Sequence, residues 1–456
     1  MPAQSFASPR KLLPVLTLAA ALLAFAFGGL WRQPRQSSAS LSLPPARLLP
    51  DGTAENQYAI RFLSERVKRD PDDFASQNRL AGRYLACLRE TGDHKYLPMA
   101  FNAARASLRA VPEQTNSGGL TALAQTELAS HAFAQARDHA VRLAKLDPGK
   151  GGASAIEGDA RLELGDYDGA ARAFARMREL GGQNPESETR LARLCVLHGQ
   201  TGAAQKHFAT ALALALHDPS PSRAVVAWCR WQMGETAFLS GDIAAAERHY
   251  RDALITSPDD FRARAGMVRV LAARGDWNGA IAQFNRAILV TPDTAFLATL
   301  GDIYHLAGRQ NEARAVYKLL ELGASPAQAK TPLARLHARL HARQLALFYA
   351  DHDLHAPAAY AVAKRDYASR RDIYGADALA WTALKAGHLS EAQSAIKAAL
   401  RLNTQDARLF YHAAMIARAA GDKTAAREFL QRALDLNPHF DLLQAPLARQ
   451  ALDEIS

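Results

Sequence analysis

One arrangement of side chains, returning with a nearly fixed period, most constrains what this chain can fold into. Between Gly165, Gly199, Gly241, Gly275, Gly308, Gly387 and Gly421 the successive intervals are 34, 42, 34, 33, 79 and 34. The 79 is 45 plus 34, so a unit lacking its glycine lies inside it. Five positions after every one of the seven stands alanine: Ala170, Ala204, Ala246, Ala280, Ala313, Ala392 and Ala426. Nine positions after stands a large apolar side chain: Phe174, Phe208, Tyr250, Phe284, Tyr317, Ile396 and Leu430. Twelve after, Met177, Ala211, Ala253, Ala287, Leu320, Ala399 and Ala433 continue the set, and Pro258, Pro292 and Pro438 stand seventeen after three of them. Self-similarity of this period belongs to stacked repeats, which overrides the three domains that 456 residues would otherwise imply.

The offsets have a mechanical reading. Steps of 4 and 3 place alanine, bulky residue and small residue on one helical face, so two helices approach at the alanines and the large side chain fills the groove beside them. The glycine ends one helix and turns into the next, often with aspartate following, as in Gly165-Asp166, Gly241-Asp242, Gly275-Asp276 and Gly421-Asp422. The proline closes the second helix. Eight positions before the glycine, pairs such as Leu191-Ala192, Met233-Gly234, Leu300-Gly301 and Leu379-Ala380 mark the packed face of the first helix.

These positions resemble the tetratricopeptide repeat, a helix–turn–helix unit with small, aromatic, glycine and proline residues at such offsets. The resemblance covers roughly residues 57–440, best in the units beginning near Ala227, Phe261, Thr294 and Ala407. Degenerate units fit in phase: His131 takes the turn between Gly118 and Pro148, Asp353 takes it between Arg339 and Arg370, and the first unit has a lengthened turn from Gly92-Asp93 to Pro98. Inserts fall at Leu216 to Ser222 and Gly323 to Pro332. The expected fold is all-α, a right-handed α-solenoid of about ten such repeats making somewhat more than one superhelical turn. One hairpin cannot bury its apolar face without neighbours, so no globular-domain boundary is expected inside the array. Residues 441–456 read as a C-terminal capping helix, with Pro446 a candidate break.

The N-terminus carries a different signal. The stretch from Leu12 to Leu30 holds no charge, is followed by Trp31, and is flanked by Arg10-Lys11 and by Arg32 and Arg35. As a helix it would span about 28 Å, close to a bilayer's hydrocarbon core. Residues 1–32 are therefore read as a signal-anchor (transmembrane) helix or, alternatively, a signal peptide, with Ala24-Phe25-Ala26 and Ser37-Ser38-Ala39 as small-x-small cleavage sites. Residues 33–56, rich in Ser, Pro and Leu, read as a flexible linker. The expected location is membrane-anchored with the array outside the cytoplasm (periplasmic), or secreted into that space after cleavage.

Little in the chain points to chemistry. Cys87, Cys195 and Cys229 are too few for a disulfide framework, and their spacings of 108 and 34 match no zinc pattern. Gly149-Lys150-Gly151-Gly152-Ala153-Ser154 mimics a phosphate loop, but no Ser or Thr follows the lysine and no strand precedes it, so it reads as a turn between repeats. Neither a G-x-S-x-G elbow nor an H-E-x-x-H motif occurs. His337 and His341, four apart, would share a helical face and suit a metal. His352 lies fifteen positions on, about 22 Å along a continuous helix, so it and His355 could not complete that site. The leading reading has no enzyme activity, no cofactor and no bound metal. The alternative is a regulatory arm of an envelope enzyme, or a metal-dependent activity at the His337/His341 region.

In tetratricopeptide arrays the first helix of each unit lines the concave face, where ligand peptides lie. Carried onto this chain, that implies a partner-binding groove of Arg190, Arg193, Trp228, Trp231, Gln232, Glu235, Arg262, Arg269, Asp302, His305, Tyr374, Trp381, Tyr411 and His412. The asparagine position of members that clamp chaperone tails is held by Arg193, Glu235, Arg269 and Asp302 in successive units, so that class of client is disfavoured. Trp, Tyr and Arg are the residue types of binding hot spots, and guanidiniums receive carboxylates bidentately. With a formal charge of +10, the expected partner is a protein or peptide, acidic if the balance is a guide, on a non-enzymatic scaffold. Nucleic acid is not expected, because basic and acidic residues are mixed along the chain, as in Lys364-Arg365-Asp366 and Arg370-Arg371-Asp372. Oligomeric state is not encoded in these patterns.

Overall fold

The turn signals decide the architecture. At Gly165, φ is +77°, a left-handed conformation that lets the helix before it close: the Asp166 N–H reaches back to the Arg161 carbonyl at 2.9 Å. The Asp166 carboxylate then accepts from the Gly169 N–H at 2.9 Å and caps the next helix. Asp242, Asp276 and Asp422 cap in the same way. The two units without a glycine still turn left-handed, at His131 (φ +61°) and Asp353 (φ +53°), as their phase demands.

The computed structural model describes residues 52–288, 294–324 and 330–455. The apolar segment Leu12–Leu30 and nearly all of the proposed linker lie outside them, as do Pro292 and half of the second insert. The described residues hold 23 α-helices and no strand. Helix α1 (Gly52–Arg69) precedes ten hairpins: α2 (Phe74–Thr91) with α3 (Tyr96–Ala110), α4 (Ser117–Ala129) with α5 (Phe133–Leu146), α6 (Gly152–Glu163) with α7 (Tyr167–Gly181), α8 (Pro185–Leu197) with α9 (Thr201–His217), and α10 (Arg223–Leu239) with α11 (Ile243–Thr256). They continue as α12 (Phe261–Ala273) with α13 (Trp277–Ile288), α14 (Thr294–Leu306) with α15 (Gln310–Ala324), and a divided α16 (Pro332–Leu340) and α17 (Ala342–Asp351) with α18 (Ala356–Ser369). The last are α19 (Ile373–Lys385) with α20 (Leu389–Ala399) and α21 (Ala407–Ala419) with α22 (Lys423–Leu436), capped by α23 (Gln444–Ile455). Each second helix also packs on the first helix of the next hairpin, which makes the array continuous.

The recurring alanines are the contact points: Ala170, Ala204, Ala246, Ala280, Ala392 and Ala426 are fully buried. The bulky residue nine positions after the glycine fits where the first helix offers no side chain. Tyr250 lies so close to Gly234 and Gly266 that an added Cβ at either would stand 2.5 Å from its ring. Burial of side chains like Phe174, Phe208 and Tyr250 is worth roughly 1.5–3 kcal/mol each.

Contacts between residues about 200 apart show how the array winds. The Ile373 N–H donates to the Tyr167 hydroxyl at 2.8 Å, Asn437 Nδ2 to the Phe238 carbonyl at 2.7 Å, and Arg339 to the Ser130 carbonyl at 3.2 Å. Thr404 donates to the Leu197 carbonyl. The sequence separations are 206, 199, 209 and 207, so one superhelical turn takes about six units and the next lies directly on it. Apolar clusters cross the same seam: Phe174 and Leu194 share one with Ile373, Leu379 and Leu409, and Leu80 and Leu85 share another with Leu340.

The sequence reading and the structure differ at several points of the fold. Helix α1 begins at Gly52, so the final residues assigned to the linker are helical. Pro446 stands in the first turn of α23, where a missing N–H costs nothing, and does not split it. The first helix of the eighth unit breaks at His341 (φ −103°, ψ +12°), so His337 and His352 are not on one continuous helix.

The turn glycines divide into two groups. A Cβ at Gly199 would overlap the Asn403 carbonyl oxygen, across the seam, whereas one at Gly421 would meet open space. Both have positive φ, which costs an L-residue about 1–2 kcal/mol. Gly421→Ala should cost about that much, and Gly199→Ala about 1–3 kcal/mol more from overpacking. Urea-unfolding midpoints of the two variants check this; equal shifts would contradict the stacked turns.

Candidate partner-binding trough

Three hollows follow one another along the first helices. One of about 340 Å³ is bounded by α4, α6, α8 and α10 and includes Arg190, Arg193, Trp228 and Gln232. A second, of about 250 Å³, lies between α10, α12 and α14 and includes Trp231, Glu235, Arg262 and Arg269. The third, about 170 Å³, is lined from α14, α17 and α21 and includes Asp302, Asp351, His352 and Arg408. Nine of the fourteen residues placed in the groove from sequence therefore do line consecutive hollows.

Most of the charged ones are already engaged between neighbouring units. Arg190 grips Asp159 through Nε (3.1 Å) and Nη2 (2.8 Å) to Oδ2. Glu163 accepts from Arg193 at 2.6 Å and, across the seam, from Arg370 at 2.6 Å. Burial would raise the Glu163 carboxyl, but the two guanidiniums outweigh it and hold it at about 2. In the second hollow Glu235 accepts from the Tyr250 hydroxyl at 2.7 Å and from Arg269, whose guanidinium also lies 4.6 Å from the Phe238 ring centre. Burial and the adjacent Glu235 keep that phenol protonated, well above its usual range, against the pull of Arg269. Asp302 accepts from the Tyr317 hydroxyl at 2.7 Å and pairs with His352 Nε2 at 2.8 Å.

The side chains left with open faces are chiefly Trp228, Trp231, Gln232 and Arg262. The two indoles stand 6.3 Å apart, tilted by 58°, Trp228 lining the first hollow and Trp231 the second. Arg262 lies over both the Trp231 ring (5.8 Å) and the Phe261 ring (4.8 Å), and donates to the Arg89 carbonyl at 3.1 Å. The first hollow carries Arg190, Arg193 and Arg370 against Asp159 and Glu163, the second Arg262 and Arg269 against Glu235, a surplus of one positive charge in each.

Two tetratricopeptide-repeat profiles match the sequence, one over residues 237–300 and the other over residues 121–185 and 378–439. This is a tetratricopeptide repeat protein. No curated protein matches it in sequence. Among solved structures it is similar to yeast Tom70 (12% identity, 88% of this chain and 93% of that one, TM-score 0.37). It is also similar to the MamA protein (19%, 40% and 96%, TM-score 0.31) and to a tetratricopeptide repeat protein from Parabacteroides merdae (15%, 59% and 98%, TM-score 0.31).

Not every groove position of the family's pattern opens into the repeat protein's trough. Trp381 and Tyr411 are 2% exposed and His412 fully buried, so these three belong to the core rather than to an open surface. Helices α19 and α21 pack directly against each other there, and their inward faces cover one another. The His412 ring stacks on Trp381 at 4.4 Å and pairs with Asp377 at 2.8 Å. Tyr374 is half-buried against the cluster shared by α6, α8 and α19, and burial with Asp406 raises its phenol well above 10. His305 is exposed at the end of α14, beside Gln310 at 3.1 Å, and lines none of the three hollows.

Sequence reasoning missed Asp351, Phe284, Phe296 and Arg370, which also line the hollows. Phe284 was legible only as a packing residue, and Arg370 arrives from the next superhelical turn, which no local pattern announces. Asp351 accepts from Trp381 Nε1 at 2.8 Å and from Gln444. Burial pushes its carboxyl up to about 6, against the opposing pull of Arg408. A group raised this way favours folding when protonated, so its contribution is complete below pH 4 and is lost as pH rises through 6. Asp351→Asn, which keeps an acceptor oxygen, should therefore raise the thermal midpoint at pH 7.5 by several degrees and leave it nearly unchanged at pH 4. Thermal unfolding of both proteins at the two pH values measures this; a uniform effect would contradict it.

Proposed function

We propose that this protein is a non-enzymatic scaffold that holds a protein or peptide partner along its inner trough, centred on α8, α10 and α12. One observation carries the reading: Trp228 and Trp231 stand side by side and half-buried, each lining one of two neighbouring hollows of positive surplus. Aromatic anchors in partly desolvated pockets dominate protein-binding energetics, and Arg262 over Trp231 supplies the charged contact beside them. The partner this surface fits is an extended segment with a bulky apolar side chain and neighbouring carboxylates. Its carboxylates would meet Arg193, whose guanidinium Glu163 already holds in place through Nη2, so little side-chain freedom is lost on binding.

Location is part of the same proposal. The uncharged stretch Leu12–Leu30 supports an anchor that keeps the array outside the cytoplasm, or a leader cleaved on export to that space. No helix among the described residues is long and apolar enough to cross a membrane.

A photoreactive residue at position 228 should crosslink a partner in cells. Trp228→Ala and Trp231→Ala should each weaken capture of that partner at least tenfold, with Trp228→Phe intermediate. Undiminished capture by both alanine variants, with folding confirmed by circular dichroism, would remove the trough as the binding surface. Intact mass and carbonate washing of the membrane fraction separate anchor from cleaved leader: full-length mass in the washed pellet supports the first, and a mass lacking about the first 26 or 39 residues supports the second.

A further inference from the structure

Three histidines outside the trough converge on one point. His94 lies in the short turn between α2 and α3, His337 in α16, and His341 at the break between α16 and α17. Their ring centres are 5.3 Å (94 to 337), 5.2 Å (94 to 341) and 4.3 Å (337 to 341) apart. One ligand nitrogen from each lies within 4.8 Å of the others. Sequence spacing presented only the 337/341 pair; the third ring comes from the far end of the array, because the superhelix brings the first hairpin onto the eighth.

We propose that His94, His337 and His341 form a site for a divalent transition metal of the zinc class, and that the ion clasps the first hairpin to the eighth. Zn–N bonds of about 2.0–2.1 Å put three nitrogens around a tetrahedral ion about 3.3 Å apart. The present spacing is therefore open by about 1.5 Å at most, which rotation of His94 in its short turn closes. His337 and His341 stand one turn apart, with the His341 N–H still donating to the His337 carbonyl at 3.1 Å, so both imidazoles leave the same face. His341 is buried and the other two are half-buried, leaving one side to water for the fourth ligand. Beneath the rings, Leu336 and Leu340 pack into the cluster of Leu80, Leu85 and Leu97, an apolar shell that holds the ligands' backbones in place. Neutral imidazoles suit zinc, nickel and copper and disfavour magnesium and calcium. The role is structural: the ion joins two segments of one chain across the seam.

The full-length protein in detergent, stripped of metal, should bind one Zn²⁺ per chain, and Co²⁺ in its place should show tetrahedral d–d absorption. His94→Ala and His337→Ala should each weaken Zn²⁺ binding by about 100-fold or more, while His217→Ala, at an exposed histidine elsewhere, should not. His94→Gln guards against a folding effect, because it should lose the metal with unchanged circular dichroism. Zn²⁺ should slow hydrogen exchange together in residues 92–98 and 333–342 of the wild-type chain. Binding that survives both alanine substitutions, or a wild-type chain that takes up no stoichiometric Zn²⁺, would overturn the site. Zn²⁺ bound through these histidines without slowed exchange in either segment would overturn the clasp.

Discussion

Backbone set directly against backbone, between one superhelical turn and the next, is the constraint on which the rest of this structure depends. At Gly165, Gly199 and Gly241 the carbonyls of Arg371, Asn403 and Leu436 stand where a Cβ would be. The glycine that most units use for their turn serves a second purpose at these three, because only a residue without a side chain lets the second turn seat on the first. Around each contact the seam is closed by polar groups with defined partners: Tyr167 with the Ile373 N–H, Leu197 with Thr404, Phe238 with Asn437. A buried backbone group left without a partner costs about 1–3 kcal/mol, so these bonds select one register among the many that apolar contact alone would permit.

The second organising element runs along the inside. Asp159 with Arg190, Glu163 with Arg193, Glu235 with Arg269, Asp302 with His352 and Asp377 with His412 each join one first helix to the following one or to the turn just after it. Sequence separations from 30 (Glu163 with Arg193) to 50 (Asp302 with His352) make them rungs between units rather than bonds within them. Their cost and benefit depend on burial. The more open pairs, such as Arg269 with Glu235, gain little net stability from charge alone, whereas removing one member of a buried pair, such as His412 with Asp377, strands the other. The rungs fix these arginines in orientation where they line the hollows, so the same residues stitch the array and shape its trough.

How far the sequence could be read follows from which contacts are local. The period and the turns at His131 and Asp353 depend on neighbours within one unit and were visible, whereas the first turn, read as running to Pro98, closes by Lys95 because α3 starts at Tyr96. Arg190 to Arg269 line hollows at first-helix positions that recur with the unit, which is why a repeat pattern could group them. What depends on the winding was hidden. Trp381, Tyr411 and His412 occupy groove positions by phase, yet close packing of α19 on α21 buries them. Arg370 reaches Glu163, and His94 reaches His337, from a different superhelical turn, and no repeat-by-repeat projection carries that information. The break at His341 was equally hidden, since the helix spacing of His337 and His341 looked continuous.

Winding and trough are not separate properties. The first hairpin, drawn inward by the superhelix, sets the Arg89 carbonyl against Arg262, and Arg262 in turn lies over Trp231 in the second hollow. On the opposite wall Arg370 crosses the seam to share Glu163 with Arg193. One wall of the trough is thus finished by Arg370, which arrives only when the turns are stacked, and the other by Arg89, five units before Arg262 and within a single turn. A shorter array of the same units, lacking the second turn, would keep its first helices and its tryptophans but would lose the wall that Arg370 supplies. The length of the array is for this reason a determinant of the trough itself, beyond the number of units it contains.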